Sequence, residues 1–76
     1  MTQDEATQII QQLRLGAELS IRNHEGEWGL RAVSGGLELW ERYPYESTEP
    51  RLVSDEEASD NLCPLDLEMV LTRLIP

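Results

Sequence analysis

Residues 17–43 read AELSIRNHEGEWGLRAVSGGLELWERY, and this stretch decides the fold. Ala17, Leu19 and Ile21 alternate with Glu18, Ser20 and Arg22. Trp28, Leu30 and Ala32 alternate with Glu27, Gly29 and Arg31. Leu37, Leu39 and Tyr43 continue on a third run. A period of two is the mark of a half-buried strand. Asn23-His24-Glu25-Gly26 and Gly35-Gly36 supply turn residues between the runs.

Closing the first turn on its four residues pairs Ile21 with Trp28, Leu19 with Leu30 and Ala17 with Ala32. The same closure sets Arg22 against Glu27, Ser20 against Gly29 and Glu18 against Arg31. Closing the second turn on Gly35-Gly36 pairs Ala32 with Leu39, Arg31 with Trp40 and Trp28 with Tyr43. One face of the meander is then apolar, and the other places opposite charges across from each other. Glu41 is the misfit, on the apolar face opposite Leu30, where a sheet edge or a bulge would have to accommodate it.

Helices are expected on both sides. Thr2-Gln3-Asp4-Glu5 is a capping box, and Ala6, Ile9, Ile10 and Leu13 follow at helical spacing as far as Gly16. This predicts a helix over 3–15. Pro64 suits a first helical position, and Leu67, Val70, Leu71 and Leu74 form a stripe, which predicts a helix over 64–75. Asp66 and Glu68 near its start and Arg73 near its end suit the helix dipole. Between them, Pro44 and Pro50 make residues 44–60 read as an acidic loop. Arg51-Leu52-Val53 is a short edge strand at most, and a helical turn near 55–60 starts from the capping pattern Ser54-Asp55-Glu56-Glu57. The expectation is one α+β domain over 1–76, in the order α-β-β-β-α: a three-stranded antiparallel meander with two helices packed on one face.

The chain has 76 residues, fifteen of them acidic, six of them arginine and none lysine, for a net charge of −9. Residues 46–60 hold Glu46, Glu49, Asp55, Glu56, Glu57 and Asp60 against Arg51 alone. Such a field steers encounters with basic surfaces and repels nucleic acid and anionic membrane. The length allows a single core, stabilised by roughly 5–10 kcal/mol. One cysteine, Cys63, excludes an internal disulfide and fits a reducing compartment. The polar, acidic start is not a signal peptide, and no apolar run approaches the ~18 residues of a span, so a cytoplasmic protein is expected.

Catalytic and metal chemistry find no footing. His24 sits in a polar turn without a second ligand nearby, and Cys63 lies in acidic surroundings that oppose a thiolate. Asp55, Glu56, Glu57 and Asp60 lack the alternating spacing of a calcium loop. No cofactor and no enzymatic activity are expected. Trp40 falls on the outer sheet face beside Val33, Arg31 and Arg42, where it packs under arginine or anchors a contact.

These features point to a small acidic protein-binding module that engages a basic surface of a larger protein. The expected binding residues are Glu46, Glu49, Asp55, Glu56, Glu57, Asp60 and Trp40. Its sharper form is a nucleic-acid mimic, an inhibitor or regulator of the kind phages deploy against host defence nucleases. The alternatives are an immunity-type or adaptor protein, and a homodimer or larger homo-oligomer formed through the open sheet face.

Overall fold

The computed structural model describes residues 1–76, the side chain of Ser47 excepted. Helix α1 (Gln3–Arg14) begins as its capping box requires: the Glu5 amide donates to Thr2 Oγ1 at 3.2 Å, and the Thr2 amide donates to Glu5 Oε1 at 2.8 Å. Ala6, Ile9, Ile10 and Leu13 are buried along one stripe. Gly16, at φ 110°, turns the chain out of the helix, a conformation open to glycine and costly for other residues.

Strands β1 (Glu18–Arg22), β2 (Glu27–Val33), β3 (Gly36–Arg42) and β4 (Ser47–Val53) follow, then α2 (Asp55–Leu62), α3 (Leu67–Arg73) and the short β5 (Leu74–Ile75). All strands pair antiparallel in one sheet of order β4-β3-β2-β1-β5. The α+β class and the helices gathered on one face are as expected. Leu19, Ile21, Leu30, Leu37, Leu39 and Val53 join α1, Ala58 and Leu62 of α2, and Val70 of α3 in a single core.

The β1–β2 register is the expected one at all five pairs, from Glu18 with Arg31 to Arg22 with Glu27. Asn23 fixes the turn, its Oδ1 accepting from the amides of Glu25 and Gly26. The second hairpin departs from expectation by two residues. Val33 pairs with Gly36, so the loop is Ser34-Gly35, and Leu30 faces Leu39, Arg31 faces Glu38 and Gly29 faces Trp40. Gly35 and Gly36 both have positive φ, but Gly36 already belongs to the strand. A slip of two leaves every side chain on its expected face, because the side-chain period is two. Glu41 therefore stays on the inner side, opposite Trp28 instead of Leu30, where it accepts from the Tyr43 hydroxyl at 2.7 Å. Trp28 packs at the edge of the core and is only partly buried, not enclosed beneath the helices.

Residues 44–60 are not a loop. Ser47–Val53 forms a full fourth strand, and Asp55–Leu62 a two-turn helix. Pro50 is accommodated by a bulge: Leu39 faces Arg51 and Glu41 faces Thr48, so Glu49 and Pro50 together oppose Trp40.

The last helix also differs from its prediction. Pro64 lies in the link from α2, where the Leu65 amide donates to Leu62 O at 2.9 Å. Asp66 is the N-cap, accepting from the Met69 amide at 3.1 Å, so α3 starts at Leu67. It stops at Arg73 because Leu74 and Ile75 pair with Leu19 and Glu18. Of the expected stripe only Val70 is fully enclosed, and Leu71 is 52% exposed.

Candidate functional site

Four of the expected binding residues lie on α2. Its N-cap is Ser54, whose Oγ accepts from the Glu57 amide at 3.0 Å. The Glu57 carboxylate does not reach back to close a capping box. It pairs instead with Arg51 of β4 at 2.6 Å. The hydrogen bond from Arg51 lowers the Glu57 carboxyl below its ordinary value, and the same contact raises Arg51. Asp55 pairs with Arg14 at the end of α1. Ala58, Ser59 and Leu62 face the core, and Ser59 accepts a 2.7 Å hydrogen bond from Gln3 Nε2. Glu56 and Asp60, one turn apart, stay exposed, and among the described residues neither has an arginine partner.

The other expected residues are elsewhere. Glu46 is in the β3–β4 turn, its carbonyl accepting from the Tyr43 amide, and Glu49 is exposed in the β4 bulge. Trp40 is on the sheet face opposite the helices. The seven residues therefore do not form one patch.

Acids that composition alone did not single out join α2 instead. The Met1 amino group donates to Cys63 O at 2.6 Å and to Leu65 O at 2.7 Å, which holds the start of α1 beside the α2–α3 link. Asp4 and Glu5 in the first turn of α1, and Asp66 and Glu68 at the start of α3, thus belong to the same helical layer. The three helices with their caps carry eight carboxylates against two arginines, Arg14 and Arg73. Much of this has a local cause, since all but Asp60 are caps or first-turn acids that suit the helix dipole. Their convergence on one layer comes from the fold.

The strands carry five acids against four arginines, and most of these pair. On the outer face, Arg22 Nε donates to Glu27 Oε2 at 3.2 Å, and Arg42 stands 3.9 Å from Glu27 Oε1. Arg31 Nε donates to Glu38 Oε1 at 2.9 Å. Between these rows run Ser20, Gly29 and Trp40. The indole lies against Gly29, and a Cβ there would collide with the ring and with the Leu19 carbonyl. The Arg42 guanidinium sits 5.7 Å from the ring centroid. Leu52, beside Glu38, is 58% exposed.

Other groups offer less chemistry. His24 is exposed in its turn, 3.9 Å from Glu25. Cys63 Sγ lies 3.9 Å from Ser59 Oγ. The Tyr43 ring covers Gly26, and its hydrogen bond to Glu41 raises the phenol above its ordinary 10.0. Among the described residues, no three His, Cys, Asp or Glu side chains gather as metal ligands. Among the described residues, no helix is long and apolar enough to cross a membrane. Compared with protein-family models, curated proteins and solved structures, the chain matches none.

Proposed function

We propose that this chain is a non-enzymatic protein-binding module whose acidic helical layer engages a basic surface on a larger protein. The observation that carries the reading is the segregation of charge: eight carboxylates against two arginines on the helices, near balance on the strands. The two ion pairs at Asp55 and Glu57 shift the binding residues within the acidic segment. Glu56 and Asp60 lead, with Asp4 and Glu68 as further acids of the helical layer, while Asp55 and Glu57 serve the fold. Carboxylates fixed on short helices approach a cationic groove as a line of phosphates would. An inhibitor or regulator that occupies a phosphate-binding groove is the form this reading favours.

Affinity capture compares wild type with a Glu56→Gln, Asp60→Asn variant at about 0.05 M and about 0.5 M salt. Basic proteins held by wild type at low salt should be lost with the variant and at high salt. Partners retained equally under all conditions would overturn the reading.

A further inference from the structure

We infer that the outer sheet face binds a second copy of this chain, about a two-fold axis running along the row Ser20, Gly29, Trp40. The argument is the order of charges, fixed by the register. At one end of the face the row Arg22, Glu27, Arg42 reads plus, minus, plus across β1, β2 and β3. At the other end the row Glu18, Arg31, Glu38 reads minus, plus, minus. Cross-strand pairing within one molecule explains the alternation inside each row. It does not explain why the two rows run in opposite order, since two rows of the same order would pair equally well.

The opposition has a consequence between molecules. A two-fold axis in the sheet plane, perpendicular to the strands, lays each strand across its own counterpart and exchanges the ends. Arg22 then faces Glu18 of the second copy, Glu27 faces Arg31 and Arg42 faces Glu38. Every facing pair is opposite in sign. The other in-plane axis, along the strands, sets Arg22 against Arg42, Glu18 against Glu38, and Arg31 and Glu27 against themselves. The charge pattern selects one geometry and rejects the other. It is the geometry of aligned sheet-on-sheet packing.

Two further observations favour a copy of this chain as the occupant. The six charges that β1, β2 and β3 present on the outer face cancel, and Glu49 in the β4 bulge adds one acid beside them, so on a molecule of charge −9 this face is where two copies approach with little repulsion. Trp40 and the exposed Leu52 supply apolar surface, and the axis brings the two indoles together. Four strands of this length present a face of roughly 20 by 20 Å, about 400 Å² per copy. Stable complexes bury about 800 Å² per partner. The dimer is therefore weak, forming at high micromolar concentration and dissociating on dilution. It is independent of the acidic helical layer, which it leaves facing outward on both sides.

Two triple variants test it by sedimentation velocity, with circular dichroism as the check on folding. Glu18→Arg, Arg31→Glu, Glu38→Arg gives both ends the order plus, minus, plus. Arg22→Glu, Glu27→Arg, Arg42→Glu gives both ends the order minus, plus, minus. Each keeps opposite charges across strands within its own molecule. Wild type should dimerise, each variant alone should associate about tenfold more weakly or worse, and an equimolar mixture of the two should recover the dimer. Wild type that stays monomeric at about 500 µM, variants that dimerise as well as wild type, or folded variants whose mixture stays monomeric would each overturn the inference. Dilution of wild type, followed by NMR, needs no substitution. Shifts should concentrate on Ser20, Gly29 and Trp40, and shifts confined to the helices would refute the interface.

Discussion

Gly29→Ala sets two opposing effects against each other, and their magnitudes decide the sign. Alanine is favoured over glycine inside a strand by about 0.5–1 kcal/mol, because glycine loses more backbone freedom on folding. Against this, the new Cβ at residue 29 overlaps the Trp40 indole on one side and the Leu19 carbonyl on the other. The carbonyl belongs to a paired strand and cannot swing away. Forcing a carbon into a filled site costs about 1–3 kcal/mol. The balance is a loss of about 1–2 kcal/mol. In a domain of this size each kcal/mol lowers the melting temperature by about 4–8 °C, so thermal unfolding should move down by roughly 5–15 °C. The same substitution in a Trp40→Ala background should cost less, by at least about 0.5 kcal/mol, with the remainder due to the Leu19 carbonyl. A Gly29→Ala variant that melts at or above wild type would refute both the close approach and the Gly29–Trp40 register.

Ser54→Ala should destabilise by about 1 kcal/mol through loss of the α2 cap, seen as a lower denaturation midpoint with an unchanged slope. An unchanged midpoint would mean that α2 is capped otherwise. Because Arg51 lowers the Glu57 carboxyl, this pair's contribution is present above the ordinary carboxylate range and lost as pH falls through the depressed value. The small difference in melting temperature between wild type and Glu57→Gln at neutral pH should therefore vanish in acid. A difference that grows toward acid would contradict the sign.

The faces of the sheet were legible because they depend only on parity. Both the first hairpin and the slipped second hairpin keep Leu30 inside and Trp40 outside. The second register was not legible, because Gly35 and Gly36 are equally able to make the turn. What selects between them lies across the sheet, in Gly29 making room for Trp40 and Arg31 meeting Glu38. Proline misled the reading twice. Pro50 hid β4, since the bulge that admits a proline is set by the neighbouring strand. Pro64 drew the start of α3 three residues early, although Asp66 was the better cap. The acids of α2 could be found from composition. Their loss to ion pairs could not, since Arg14 and Asp55 are 41 residues apart. Nor could the gathering of Asp4 and Asp66 beside them, which depends on how α1 meets the α2–α3 link.

Pro50 has an effect on what the molecule cannot do. It gives β4, the outermost strand, a backbone position with no N–H to donate, beside a bulge that breaks the ladder. At the opposite margin, β5 is two residues long and covers only Glu18 and Leu19. Neither margin offers a long, regular template for strand addition. Growth by edges is open-ended, because each added strand exposes another edge, and it leads to fibres. Contact through a face ends once the face is covered. This protein should therefore stay in solution when concentrated, and whatever assembly it makes should be finite.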